Sequence, residues 1–205
     1  LSRRQRQMCI RDSPNSDEGE GYIAVDTVGN RIYGYNPVHR IYQGWGKSAG
    51  YSGHFVVRFQ KKITDFGTFK GDSLLPRTVR MEKGAQIGAY IEFDVEAGEE
   101  VLVKAASSFT GQEGAMQNLA AEISHWDFEQ THQQLNGIWE RHLSSILVET
   151  DNLADKEKFY SAFYRASFLP HTFNDVDGSY PAFAKGTPIQ QLPAGETYYE
   201  DYSMW

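Results

Sequence analysis

A change of hydrophobic period near residue 110 constrains the fold of this chain more than any other feature. Before it, apolar, aromatic and β-branched residues come in short runs: Tyr22-Ile23-Ala24-Val25, Arg31-Ile32-Tyr33-Gly34-Tyr35, His54 to Phe59, Ile87 to Val95 and Val101 to Lys104. Turn residues such as Val28-Gly29-Asn30 and Ala97-Gly98-Glu99-Glu100 separate them. Runs of this length and pattern are those of strands. With no helical pattern between them, the strands must be joined by turns rather than crossover helices. That predicts an antiparallel β-sandwich over 14–108 and argues against a parallel sheet.

After the change the spacing is helical. Met116, Leu119, Ala120 and Ile123 fall on one face of a first helix. Ser124-His125-Trp126-Asp127 has capping-box spacing, with Asp in the place of Glu or Gln, ahead of a second helix carrying Phe128, Leu135, Ile138, Trp139 and His142 and ending near Leu143. These two helices fall within 109–150, closed by a short extended stretch from Ile146 to Glu149. A third helix from about Ala154 to Leu169 carries Tyr160, Phe163, Tyr164, Ser167 and Phe168 on one stripe and meets Pro170 at its end. Beyond Pro170 the pattern is that of a loop. The expected class is therefore β plus α, a sandwich followed by helices.

Hydrophobic residues make up 40% of the chain and charged ones 23%, enough apolar surface to bury a core and too little charge for a disordered segment. No apolar run approaches the roughly 18 residues that cross a bilayer, so no membrane span is expected. A formal net charge of −7, with Lys and Arg scattered among acids, argues against a nucleic-acid partner, which needs a clustered basic surface. A neutral or polar ligand fits better.

Residues 1–13 differ from the rest: Arg3, Arg4, Arg6 and Arg11 stand against Asp12 alone, with no apolar stretch to make them a signal peptide. Met8-Cys9-Ile10-Arg11-Asp12-Ser13 resembles the translation of a transposon adapter used in sequencing libraries, so 1–13 is expected to be an adapter-derived leader. Cys9, the only cysteine, would then be foreign to the natural protein, leaving neither thiolate chemistry nor disulfides. At the other end the chain stops inside an aromatic-rich segment, Tyr198-Tyr199-Glu200-Asp201-Tyr202-Ser203-Met204-Trp205. Large aromatics at a terminus need further chain to bury them, so truncation is expected there too.

Four patterns bear on chemistry. Tyr35 to Gly46 mixes aromatic faces with short polar groups, as sugar sites do, but composition favours a long sandwich loop whose Tyr42 and Trp45 cover a sheet edge and whose Arg40 pairs with a local carboxylate. Asp175-Val176-Asp177-Gly178 has the look of a calcium-binding turn but is far too short for an EF-hand, and Asp-Gly pairs more often simply turn the chain. Glu200 and Asp201 are adjacent, so an extended backbone would point them to opposite faces, which makes a poor acid and base pair. His39, His54, His125, His132, His142 and His171 show no metal-ligand spacing, and no G-x-S-x-G is present.

Three longer strings carry a resemblance. Gly34-Tyr35-Asn36-Pro37-Val38-His39-Arg40-Ile41-Tyr42-Gln43-Gly44-Trp45-Gly46 with Ala49 to Phe59, then Lys158 to Arg165 with Pro170 to Tyr180, then Tyr199 to Trp205, are similar in that order to glycosyl hydrolase family 92. The resemblance implies an N-terminal β-sandwich, linker helices, and at 151–205 the first helix of an (α/α)6 catalytic barrel. It implies an exo-acting α-mannosidase that inverts configuration and uses a bound Ca2+, with a mannose-containing glycan as substrate and a periplasmic or secreted location. The catalytic acid, base and most calcium ligands would lie beyond Trp205, so no catalytic or metal residue is assigned in this chain, and the chain alone is expected to be inactive. Trp205 is the one residue carried over, as a substrate-facing indole at the sugar pocket. The alternative is a non-catalytic carbohydrate-binding or interaction sandwich.

Overall fold

A computed structural model describes residues 21–36, 53–82, 87–182 and 188–200. The leader 1–13, most of the aromatic loop at 35–46, the Asp201 carboxylate and Trp205 lie outside the described residues, as does the side chain of Glu200.

Two antiparallel sheets confirm the sandwich. The larger sheet holds β1 (Tyr22–Asp26), β2 (Arg31–Asn36), β3 (Gly53–Phe59), β6 (Arg80–Glu82) and β8 (Val103–Ser108), in the order β6-β1-β2-β3-β8. The smaller one holds β4 (Asp65–Lys70), β5 (Ser73–Pro76) and β7 (Ile87–Glu92), in the order β5-β4-β7. Between the sheets Val25, Phe59 and Ile63 are buried, with Ile32, Val57, Phe66, Ala89, Ile91 and Phe93 packed around them. The β1–β2 hairpin turns as expected: Asp26 Oδ1 accepts from the backbone N–H of Val28 and Gly29, and Asn30 takes a positive φ of 53°.

Three strands escape the hydrophobic pattern. β4 reads Asp-Phe-Gly-Thr-Phe-Lys, and its glycine looks like a breaker. Gly67 is there because a Cβ would come within 2.6 Å of both the Leu75 carbonyl oxygen and the Tyr90 ring. β5 and β6 are short edge strands whose residues are mostly exposed, so no alternation marks them. The strand expected at 101–104 lies instead at 103–108, where Ala105, Ala106, Ser107 and Ser108 are too small to register as a strand pattern.

That smallness makes room for a third layer. Helix α1 (Gln112–Glu122) lies against the outer face of the larger sheet, where Ala115 and Leu119 join Val56 in a second buried cluster with Tyr33, Ala106, Met116 and Ile123 around it. Of the expected stripe, Leu119 is buried and Met116 and Ile123 pack beside it, but Ala120 is exposed and Ala115 and Asn118 are buried instead, so the face is rotated from the expected one. A short ladder between β10 (Ser179–Tyr180) and β11 (Gln190–Gln191) belongs to the same compact unit, so the chain after Pro170 is not all loop.

A second compact unit holds α2 (Phe128–Leu143), α3 (Leu153–Ala166) and a ladder of β9 (His171–Thr172) with β12 (Tyr199–Glu200). The cap of α2 is Asp127, not Ser124: its carboxylate accepts from Gln130 N–H at 2.9 Å, the single-residue cap winning over the expected box. Asn152 caps α3 by accepting from Ala154 N–H at 3.1 Å. Trp139 meets Tyr164 with centroids 4.5 Å apart and Phe168 at 5.8 Å, while His142 Nε2 and Ser167 Oγ are 2.7 Å apart. Neither helix contains a fully buried residue.

Candidate functional site

Directly opposed residues on antiparallel strands share a face, so the register of β1, β2, β3 and β8 arranges the outer face of the larger sheet in three rows. Ala24, Tyr33, Val56 and Ala106 form the middle row, the one α1 covers. To one side lie Tyr22, Tyr35, His54 and Ser108; to the other, Asp26, Arg31, Arg58 and Lys104. Polar and charged chemistry in the sandwich therefore concentrates beside α1.

The aromatic row ends where β2 and β3 hand over to residues 37–52, which hold most of the Tyr35–Gly46 stretch singled out as sugar-like. Tyr22 and Tyr35 have centroids 6.1 Å apart, and Tyr35 and His54 5.0 Å, giving a half-buried strip of ring faces at that edge of the sheet. Strips of this kind present apolar ring surface bordered by hydroxyl and imidazole groups. His54 Nδ1 is buried without a hydrogen-bond partner among the described residues. Burial pushes the His54 pKa below its ordinary value, partly offset by the negative charge of Asp175.

Asp175 is the most fully engaged side chain of this unit, only 4% exposed. Its Oδ2 accepts from Ser108 Oγ at 2.6 Å and from Thr110 Oγ1, and its Oδ1 accepts from Asn118 Nδ2 at 2.7 Å. Asn118 Oδ1 in turn accepts from Val176 N–H at 2.9 Å. A Cβ at Gly114 would stand 2.4 Å from Asp175 Oδ2, so only glycine lets α1 approach this closely. Asp175 thereby ties the returning segment to both β8 and α1.

These contacts decide between the two readings of Asp175 to Gly178. Donors already occupy both oxygens of Asp175, Asp177 Oδ1 accepts from Ser179 N–H at 2.9 Å, and Gly178 turns the chain with φ at 86°. A carboxylate whose lone pairs face hydroxyl and amide hydrogens offers a cation little, so the residues do not fit calcium and the simple turn stands. Among the described residues no three His, Cys, Asp or Glu side chains gather as metal ligands. The sequence reading missed Ser108, Thr110, Gly114 and Asn118. Asn118 alone left a signal, a buried polar residue beside Leu119 on the apolar face of α1.

In the second unit an open groove of about 420 Å3 runs between Asn136, Trp139, Glu140, Leu143, Ser144, Leu147 and Tyr160. No paired carboxylates line it, and Glu140 is its single acid. Among the described residues, this groove thus does not bring together the two carboxylates that glycoside hydrolysis requires.

Comparison with known proteins completes the picture. The glycosyl hydrolase family 92 N-terminal domain matches residues 5–108, and the family's catalytic domain matches 114–205. The chain belongs to glycosyl hydrolase family 92. Its fold is similar to that of the family GH92 α-mannosidase BT3965 from Bacteroides thetaiotaomicron, with 27% identity and a TM-score of 0.74 over 89% of this chain and 24% of that one. The same enzyme has been solved with mannoimidazole bound. The family GH92 inverting mannosidase BT2199 from the same bacterium gives 25% identity and a TM-score of 0.72, again over 89% and 24%. This chain therefore spans about a quarter of the length of the solved structures it matches. No curated protein matches it.

Proposed function

We propose that this chain is part of a glycoside hydrolase that releases terminal mannose from α-mannosides of glycans with inversion of configuration. The observation that carries the reading is the match of both family domains, in order, with solved mannosidases 25% and 27% identical over 89% of the chain. In this reading α1 and α2 are linker helices that follow the sandwich, and α3 opens the catalytic barrel. The acid, the base and most ligands of a Ca2+ that would steady the sugar belong to the part of such an enzyme that this chain does not span. This reading assigns Trp205 to the sugar pocket and the enzyme to the periplasm or the outside of the cell.

Inversion requires two carboxylates far enough apart to admit a water, roughly 6.5 to 9.5 Å. The decisive experiment incubates the longer protein with 4-nitrophenyl α-mannoside and follows the product by proton NMR. β-Mannose appearing first, with activity lost on chelation and restored by Ca2+, supports the proposal. α-Mannose appearing first, or no hydrolysis, overturns it. A second reading, a non-catalytic sugar-binding sandwich, draws on the strip of Tyr22, Tyr35 and His54. It requires the sandwich to bind mannosides when the longer protein hydrolyses nothing.

A further inference from the structure

The third row of the outer face, Asp26, Arg31, Arg58 and Lys104, sets three cations on adjacent strands in direct register. Like charges placed directly opposite one another destabilise a sheet, and this row stands in a chain whose net charge is −7. Its one carboxylate is already engaged. Asp26 Oδ1 takes the N–H groups of Val28 and Gly29, Oδ2 takes Arg31 Nε at 2.8 Å, and these bonds hold the carboxyl below its ordinary pKa.

Structural partners account for part of the remaining charge. Lys104 Nζ donates to the Ile123 carbonyl at 2.6 Å, at the C-terminus of α1, a helix with no basic residue in its own last turn. One cation satisfies that end, since the helix presents only about half a negative charge there. Arg31 Nη1 donates to the Met116 thioether at 2.9 Å, a weak acceptor, and its guanidinium carbon stands 5.6 Å from the Tyr33 ring centroid. Arg58 lies between Arg31 and Lys104 with no ion pair among the described residues, and its charge helps lower the Lys104 pKa, behind burial as the main cause.

The three cations share a cavity of about 230 Å3 whose far wall is Met116, Leu119 and Ser124 of α1 and its exit. We propose that this cavity binds a small tetrahedral oxyanion, phosphate or sulfate, free or carried on a sugar. Arg58 offers paired N–H donors suited to such oxygens, Arg31, whose Nε and Nη1 are engaged, and Lys104 add charge, and the low-dielectric wall strengthens the attraction. The anion relieves the repulsion that the register imposes.

The test titrates the 205-residue chain with inorganic phosphate, inorganic sulfate and a hexose phosphate at constant ionic strength, following amide resonances of β2, β3 and β8. Saturable shifts centred on residues 31, 58 and 104 are expected, and Arg58→Met should weaken them about tenfold while Lys70→Gln leaves them unchanged. Arg58→Met should also raise the melting temperature in anion-free buffer, because it removes the central like charge. Equal affinity for inorganic phosphate and hexose phosphate assigns the site to a free anion; tighter binding of the sugar ester assigns it to a glycan substituent. Shifts that stay linear, or that persist in Arg58→Met, overturn the proposal.

Discussion

Helix α1 and the pair α2 and α3 present opposite relations between pattern and burial. α1 has a diluted apolar stripe, with Asn118 and Gly114 close by, yet Ala115, Asn118 and Leu119 are all buried. The stripes of α2 and α3 are cleaner and richer in aromatics, yet Phe128 is 73% exposed, Leu153 68% and Ile138 55%. Amphipathicity records which face a helix offers, while burial depends on whether a partner of matching shape is present. β8 provides one for α1 through its small residues. α2 and α3 have each other and the Trp139, Tyr164 and Phe168 cluster, which leaves most of their apolar surface uncovered.

The sharpest way to break this contrast is at the polar anchor of the first unit. Asp175→Asn sets an amide NH2 against the Ser108 and Thr110 hydroxyls or, flipped, against the Asn118 amide NH2, and should cost about 3 kcal/mol of stability, read by urea denaturation. A loss below about 1 kcal/mol would show that α1 and the returning segment are not tied there. Leu119→Ala should cost about 2 to 3 kcal/mol, because it empties a fully packed position between α1 and Val56. Asn152→Ala, which removes only the α3 cap, should cost about 1 kcal/mol and lower helicity by circular dichroism.

Smaller effects sharpen the same comparison. His54 is neutral in its buried setting and its pKa is lowered, so the unfolded chain binds the proton more readily. Stability should hold above pH 6.5 and decline as pH falls from there toward the lower folded-state value, a slope absent from His54→Gln. Least of all, Leu135→Ala on the exposed face of α2 should change stability by no more than about 0.5 kcal/mol, against the larger loss at Leu119.

The sequence made the layer order legible because period is a property of single residues and their neighbours. β1, β2, β3, β7 and all three helices follow from it, with small shifts at their ends. β4 was hidden by Gly67, whose purpose is a contact with Leu75 and Tyr90 that no local pattern reveals. The Asp175 anchor was hidden for the same reason: its partners lie 57 to 67 positions away. Conversely, the D-x-D-G string looked chemical and proved to be a turn, since its lone pairs are spent on hydroxyls and amides within the fold. The charged row was invisible because Arg31, Arg58 and Lys104 meet only through strand register.

The central claim is that the sandwich with α1 carries its own core, whereas α2 and α3 in this chain do not. Amide hydrogen exchange on the 205-residue chain tests it directly, since protection tracks the free energy of local opening. The account predicts slow exchange throughout β1, β2, β3, β8 and α1, and exchange at least about a hundredfold faster in α2 and α3. Equal protection of α1 and α2 would contradict it.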